Sequence, residues 1–192
     1  VEKMQSDTPN LEAMRRQVAK DEAEAKDEYE RLYQQANQAL LVGDAKAAVK
    51  LAKKAANLEP GRPHAHFSLG NAYKLSGDNL RASECFLAAM ERKEPGSSAW
   101  AQTVTEAWDA RWRAAPCSRD IFCDCERCAA LPEKPAWMAS PEALVAMAER
   151  VVAALPENAW AWHMHGRAHV GLRIWSTASK SYMKAAKLLG DE

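Results

Sequence analysis

The chain has 192 residues, 47% of them apolar, and its 26 acidic side chains balance 26 Lys plus Arg. That length suffices for one domain with a buried core, or for two small ones. The charge balance excludes a strongly basic nucleic-acid binder and an acidic disordered tail, and no apolar run nears the roughly 18–20 residues of a membrane span.

The opening, Val1-Glu2-Lys3-Met4-Gln5-Ser6-Asp7, is polar and carries no signal-peptide core. A chain that starts at Val reads as a processed product or a trimmed fragment. The expected address is intracellular and soluble, either cytoplasm or an organelle after removal of a targeting sequence. Thr8-Pro9 then suits a helix start, with Thr as N-cap and Pro in the first turn. No Gly or Pro follows until Gly43. The spacing predicts one helix of about 33 residues, roughly 50 Å at 1.5 Å per residue. Leu11, Met14, Val18, Ala25 and Tyr29 fall on one of its faces; the rest is charged.

From residue 29 onward the breakers are sparse, 8 Gly and 9 Pro in the whole chain, and they separate stretches rich in Ala, Leu, Lys and Glu. Those are helix formers, and no two-residue alternation of a strand is sustained. Self-similarity at a fixed period is present. Ala36, Gly70 and Gly166 are small residues inside apolar helical stretches. Each has a bulky residue four positions earlier (Leu32, His66, Trp162) and a small one twelve later (Ala48, Ala82, Ala178). Units beginning at Tyr29, Pro63, Ser97 and Ala159 are spaced by 34, 34 and 62 residues, the last being 34 plus an insertion of 28. Pro60, Pro95 and Pro156 close the first three units.

The third unit predicts a helix from about Ser98 past Trp112 and another from Ser140-Pro141-Glu142, with the insertion, about 113–140, between them. In the fourth, Arg173-Ile174 stands where the first two units have the turns Gly43-Asp44 and Gly77-Asp78. Glycine suits such a turn because positive φ costs it little.

This pattern resembles the tetratricopeptide repeat, a 34-residue helix-turn-helix unit. The second unit carries the resemblance best: Leu69-Gly70-Asn71-Ala72-Tyr73, the turn Gly77-Asp78, then Ala82, Phe86 and Ala89. Small residues at Gly70, Ala82 and Ala89 let the two helices approach, and Tyr73 and Phe86 fill the space between units. The resemblance covers residues 29–192 apart from the insertion. It implies an all-α fold, a right-handed α-solenoid of about four such units, with a long N-terminal helix and a Cys-rich loop insertion. The organisation is then an extension over 1–28 and a repeat domain over 29–192.

The insertion holds four of the five cysteines within 12 residues: Cys117, Cys123, Cys125 and Cys128, spaced C-x5-C-x-C-x2-C. Four thiolates can surround one tetrahedral Zn²⁺, and Cys125-x-x-Cys128 has the knuckle spacing. A structural zinc of this kind contributes on the order of 10 kcal/mol, enough to order a long loop. Cys123-x-Cys125-x-x-Cys128 is similar to the zinc motif that follows the SET core in some lysine methyltransferases. A repeat, not a SET core, precedes it here, so only metal ligation carries over. Paired disulfides in an oxidising compartment and free thiols are the alternatives. Cys85, alone in the second helix of its unit, reads as a small core residue.

Tetratricopeptide arrays typically bind extended peptides in a concave groove lined by the first helix of each unit. By that resemblance the groove here comprises Tyr33, Asn37, Phe67, Asn71, Lys74, Thr105, Trp108 and Arg167. Asn37 and Asn71 match the two-carboxylate clamp of the chaperone-binding branch. Tyr33, Ala101 and Thr105 occupy positions where that clamp needs cations, so its charge pairing is lost. His165 and His169, four apart, fall at packing positions, while His163 lies on a different face, toward solvent. Lys46, Lys50, Lys53 and Lys54 form a basic stripe on an outer face. No phosphate loop or nucleophile motif is present, and the chain reads as a non-enzyme.

The sequence therefore predicts a protein–protein interaction scaffold or assembly subunit, docking protein partners through the groove and the N-terminal helix. Two other readings stand beside it. One is a redox- or metal-responsive adaptor using the cysteines; the other is an RNA-contacting factor using the arginines Arg111, Arg113, Arg119 and Arg127 and the lysines Lys46, Lys50, Lys53 and Lys54. The neutral total and the neighbouring Asp120, Asp124 and Glu126 weigh against the second.

Overall fold

The computed structural model describes residues 8–115 and 131–190. Eight α-helices follow one another among them: α1 Thr8–Leu41, α2 Ala45–Leu58, α3 Pro63–Leu75, α4 Asn79–Met90, α5 Ser98–Ala114, α6 Pro141–Ala154, α7 Ala159–Gly171 and α8 Trp175–Gly190. A 3₁₀ turn, Ala136–Met138, precedes α6. Each helix packs chiefly on its neighbours in the chain, which is the connectivity of a solenoid. The pairs α1–α2, α3–α4, α5–α6 and α7–α8 are the four units, and the fold is an α-solenoid of tetratricopeptide type.

Local sequence sets the helix ends. Asp44, Asp78, Ser97, Ser140 and Asn158 cap α2, α4, α5, α6 and α7, each side chain accepting from the backbone N–H three residues on. Gly43 and Gly77 take φ +78° and +82° at the turn between the two helices of a unit. Asp44 N–H then bonds Ala39 O at 2.9 Å, and Asp78 N–H bonds Tyr73 O at 2.9 Å, closing the first helix. The fourth unit makes the same turn with Arg173 at φ +59°, and Ile174 N–H bonds His169 O at 3.0 Å. The predicted departure at Arg173-Ile174 is one of sequence alone; the geometry is retained.

Packing within a unit rests on a glycine facing an aromatic ring. A Cβ on Gly70 would lie 2.6 Å from the Phe86 ring, and one on Gly166 would lie 2.8 Å from the Tyr182 ring. Phe86 thus fills the space inside its own unit rather than the space between units, and Phe67 meets it edge-on at 5.3 Å. The third unit inverts the sizes. Val104 stands in the glycine position, and Leu144 and Ala148 stand where the second unit has Ala82 and Phe86. Without an aromatic in that place, α5 and α6 meet along a shorter stretch, and residues from the insertion complete the core. Met138 is fully buried with Trp100, Trp108, Leu144 and Val151, and Trp137 packs against the Phe86 cluster as well. Arg111, itself buried, donates to Pro132 O and ties α5 to the returning strand of chain.

The first helix is continuous from the extension into the first unit, so no break in structure marks the 28/29 boundary. Met14 and Val18 on the extension are 60% and 54% exposed, whereas Tyr29 and Leu32 enter the core of the first unit.

Candidate groove along the first helices

The first helices of the four units, α1, α3, α5 and α7, are joined side by side by polar and aromatic contacts. Between α1 and α3, Ser68 Oγ donates to Asn37 Oδ1 at 2.8 Å. At the N-terminal end of α3, Arg62 Nη1 donates to Glu30 Oε1 at 2.8 Å and lies over the Tyr29 ring at 4.6 Å.

Between α3 and α5, Lys74 Nζ donates to Glu106 Oε2 at 2.7 Å and lies 3.2 Å from Asp109 Oδ2. Asp109 also accepts from Arg113 Nε at 2.9 Å. Burial works against the Lys74 charge, but the hydrogen bond and charge of Glu106, with Asp109 behind them, outweigh it and raise its pKa. The result is a charge cluster midway along the face, with the carboxylates of Glu106 and Asp109 held between Lys74 and Arg113.

Between α5 and α7, the contacts are aromatic. The Trp108 and His163 rings meet edge-on at 5.7 Å, and the Arg167 guanidinium lies 3.8 Å above the Trp112 ring. Burial lowers the pKa of His163, and the Arg167 charge adds to the effect, so the imidazole is neutral at pH 7. Tyr182 from α8 sits 5.6 Å from His163, bonds Arg167, and has its hydroxyl pKa raised by burial.

These placements sort the residues expected to line a groove. Asn37, Asn71, Lys74 and Arg167 lie half-buried along the first helices. Tyr33 is also half-buried, stacked on Tyr29 at 6.1 Å and meeting His64 edge-on. Phe67 is held between the Phe86 ring and Lys93 Nζ, which lies 4.6 Å from its centroid. Thr105 is buried and its Oγ1 donates to Ala101 O at 3.0 Å. Trp108, 1% exposed, belongs to the core and offers no surface to a ligand. His163 covers it, which is also why His163 does not face solvent as its helical position suggested. Trp112 and Glu106, which sequence reasoning passed over for this face, take up that part of it. Their signal was present in the spacing: Trp112 is four residues after Trp108 on the same helix side.

His165 and His169 serve packing. Their rings lie 4.4 Å apart, His165 Nδ1 pairs with Ser181 Oγ of α8 at 2.8 Å, and His169 Nδ1 lies 3.0 Å from His165 O. Cys85 is half-buried on α4, and burial, with Glu84 and Asp78 adding, pushes its thiol up to about 12. Cys117, Cys123, Cys125 and Cys128 lie outside the described residues. Among the described residues no group of three or more His, Cys, Asp or Glu is placed to hold a metal, and no helix is long and apolar enough to cross a membrane.

No protein-family model matches the sequence, and no curated protein matches it. Among solved structures the chain is similar to a crystal structure of MamA, at 15% identity and TM-score 0.56, covering 85% of this chain and 79% of that one. A second MamA crystal structure aligns at 17% identity and TM-score 0.36, covering 85% and 92%. YrrB, described as a TPR protein with an unusual peptide-binding site, aligns at 19% identity and TM-score 0.32, covering 82% and 84%. At these identities the likeness speaks to the fold, and the first of the three carries it. The class is a tetratricopeptide-type solenoid.

Proposed function

We propose that this chain is a protein–protein interaction scaffold, an assembly subunit that holds a partner segment along the face of its first helices and makes a second contact through the extension of α1. The observation that carries this reading is the row of half-buried polar side chains on that face, Asn37, Asn71, Lys74 and Arg167, set on rigid helices and braced from behind. Asn71 can serve either a donor or an acceptor of a partner backbone. Lys74 and Arg167 offer cations, Glu106 and Asp109 offer carboxylates, and Trp112 offers an aromatic floor. Such a surface suits an extended or helical polypeptide of mixed charge better than a uniformly acidic one.

In the same reading the four cysteines hold a structural Zn²⁺ that shapes the insertion without doing chemistry. Their spacing supports it, as does the fixing of the segment that follows them by Arg111, Trp137 and Met138. A native mass of the particle purified gently from its source tests the whole proposal. A mass above the 21.2 kDa chain, in fixed stoichiometry with a second protein, is the expected result; a bare chain with no retained partner is the contrary one.

A further inference from the structure

Two histidines of α7 use one ring nitrogen each for packing and leave the other unused. His165 and His169 are four residues apart, so they share a helix face, and their ring centroids lie 4.4 Å apart. Apolar packing does not call for imidazole at these places. In the register of the repeats, the second unit fills them with Leu69 and Tyr73.

The hydrogen bonds around the pair fix where each ring carries its proton. Ser181 Oγ donates its only hydrogen to Thr177 O at 2.8 Å. Toward His165 Nδ1, 2.8 Å away, it can then only accept, so that nitrogen bears the N–H. His169 Nδ1 lies 3.0 Å from His165 O, and a carbonyl oxygen only accepts, so this nitrogen bears the N–H too. In the neutral rings both Nε2 atoms are left with lone pairs. No described residue hydrogen-bonds either of them. Nor are they sealed from water: the buried and unpartnered polar side-chain atoms among the described residues are Tyr29 Oη, Trp108 Nε1, Trp137 Nε1 and His163 Nδ1. Two imidazole lone pairs thus stand on one helix face, each within reach of solvent, beside residues that are otherwise buried.

That is how histidines are prepared for a metal. A ligating imidazole ordinarily gives its other ring N–H to an oxygen, which fixes the tautomer and the direction of the ring. Ser181 and the His165 carbonyl do this here. The spacing fits as well. Metal–nitrogen bonds are about 2.0–2.1 Å and the ring centroid lies about 1.1 Å beyond, so two imidazoles at about 90° on one ion have centroids about 4.5 Å apart. The charge nearby has the sign a cation needs, since Glu149 of α6 acts on His165 as an anion.

We infer that His165 and His169 bind one divalent transition-metal ion through their Nε2 atoms, with water completing its coordination. The ion belongs to the class that imidazole suits, Ni²⁺, Cu²⁺ or Zn²⁺. This site is separate from the face of the first helices and from the four cysteines, and it stands whether or not the scaffold reading does.

Titration of the full chain with Ni²⁺, followed by calorimetry and by NMR of the histidine rings, tests it. Added below one equivalent, nickel is expected to broaden the ring signals of His165 and His169 before those of His64, which is exposed on α3. Nickel taken up by the cysteines does not imitate this, because the broadening is read at the rings. His165→Gln and His169→Gln should each weaken the corresponding affinity by at least roughly tenfold. Ser181→Ala keeps both ligands but frees the His165 tautomer, and should weaken it by about tenfold. Circular dichroism checks that each variant remains folded, and the wild-type spectrum decides the matter even where one does not. Ring signals of His165 and His169 that stay sharp, or that broaden only after those of His64, overturn the inference. So does a nickel titration that both glutamine variants leave unchanged.

Discussion

Replacing Gly70 with Ala sets two effects of opposite sign against each other. Gly70 lies inside α3, where alanine is the better helix former by about 0.8–1 kcal/mol. Against that, its Cβ would stand 2.6, 2.7 and 2.9 Å from three atoms of the Phe86 ring, about 1 Å inside the contact distance of roughly 3.5–4.0 Å. The ring cannot swing away freely, since Phe86 is fully buried and Phe67 backs it at 5.3 Å. Overpacking of this order costs about 1–3 kcal/mol. The net expectation is a loss of about 1 kcal/mol, read from urea unfolding followed by circular dichroism, with the midpoint lowered and the slope unchanged. Phe86→Leu in the same chain should relieve the clash. The double variant then loses less than the sum of the two singles. Gly166→Ala against Tyr182 is the repeat of the experiment in the fourth unit. A Gly70→Ala variant more stable than the parent by the helix-forming increment would refute the packing argument.

The other expectations are of similar scale. Arg173→Gly should stabilise the chain by about 0.5–1 kcal/mol, because a non-glycine residue at φ +59° bears about 1–2 kcal/mol of strain and glycine returns part of that gain as unfolded-chain entropy; thermal unfolding reads it. Burial, then His169, holds the His165 pKa below its ordinary value, with Glu149 opposing. The unfolded chain therefore takes the proton first, and this group's stabilisation, complete above about pH 6.5, is lost as pH falls below that. Unfolding midpoints between pH 7.5 and 5.5 should show the decline, and His165→Gln should reduce it, leaving the share of His163, whose pKa burial also lowers. Cys85, with its thiol pushed up to about 12, should resist alkylation at pH 8 until the chain unfolds, as counted by mass spectrometry in native buffer and in denaturant. Zinc in the insertion would add about 65 Da less displaced protons to the native mass, and chelation should lower the melting temperature; two disulfides would instead subtract about 4 Da.

The repeat was legible because its units need the same small residues in the same places. Gly70 and Gly166 had to be small for Phe86 and Tyr182 to fit, and Asp44 and Asp78 had to follow Gly43 and Gly77 to cap the next helix. The continuity of the first helix into the first unit followed from the absence of breakers before Gly43. The third unit was only half legible. Its span and the place of its insertion could be counted, but a Val in the glycine position gives no hint that Met138 and Trp137, more than twenty residues away, supply the missing core. The groove was least legible. Periodicity assigns Trp108 and Arg167 to the same face, yet whether a side chain on that face reaches a ligand depends on the neighbouring unit. His163 closes over Trp108, while Arg167 instead lies on Trp112. Pairings across units, such as Lys74 with Glu106 and Asp109, depend on side-chain reach between helices that the pattern of one helix does not encode.

The most direct test of the groove is to place a photo-crosslinking side chain at Asn71 and, as a control, at Glu84, which is exposed on the second helix of the same unit. Irradiation in the source cell should join a single partner protein at position 71 through a contiguous segment of its chain, and leave position 84 unjoined to it. A partner captured equally at both positions, or at 84 alone, would contradict the assignment of the first-helix face as the binding surface.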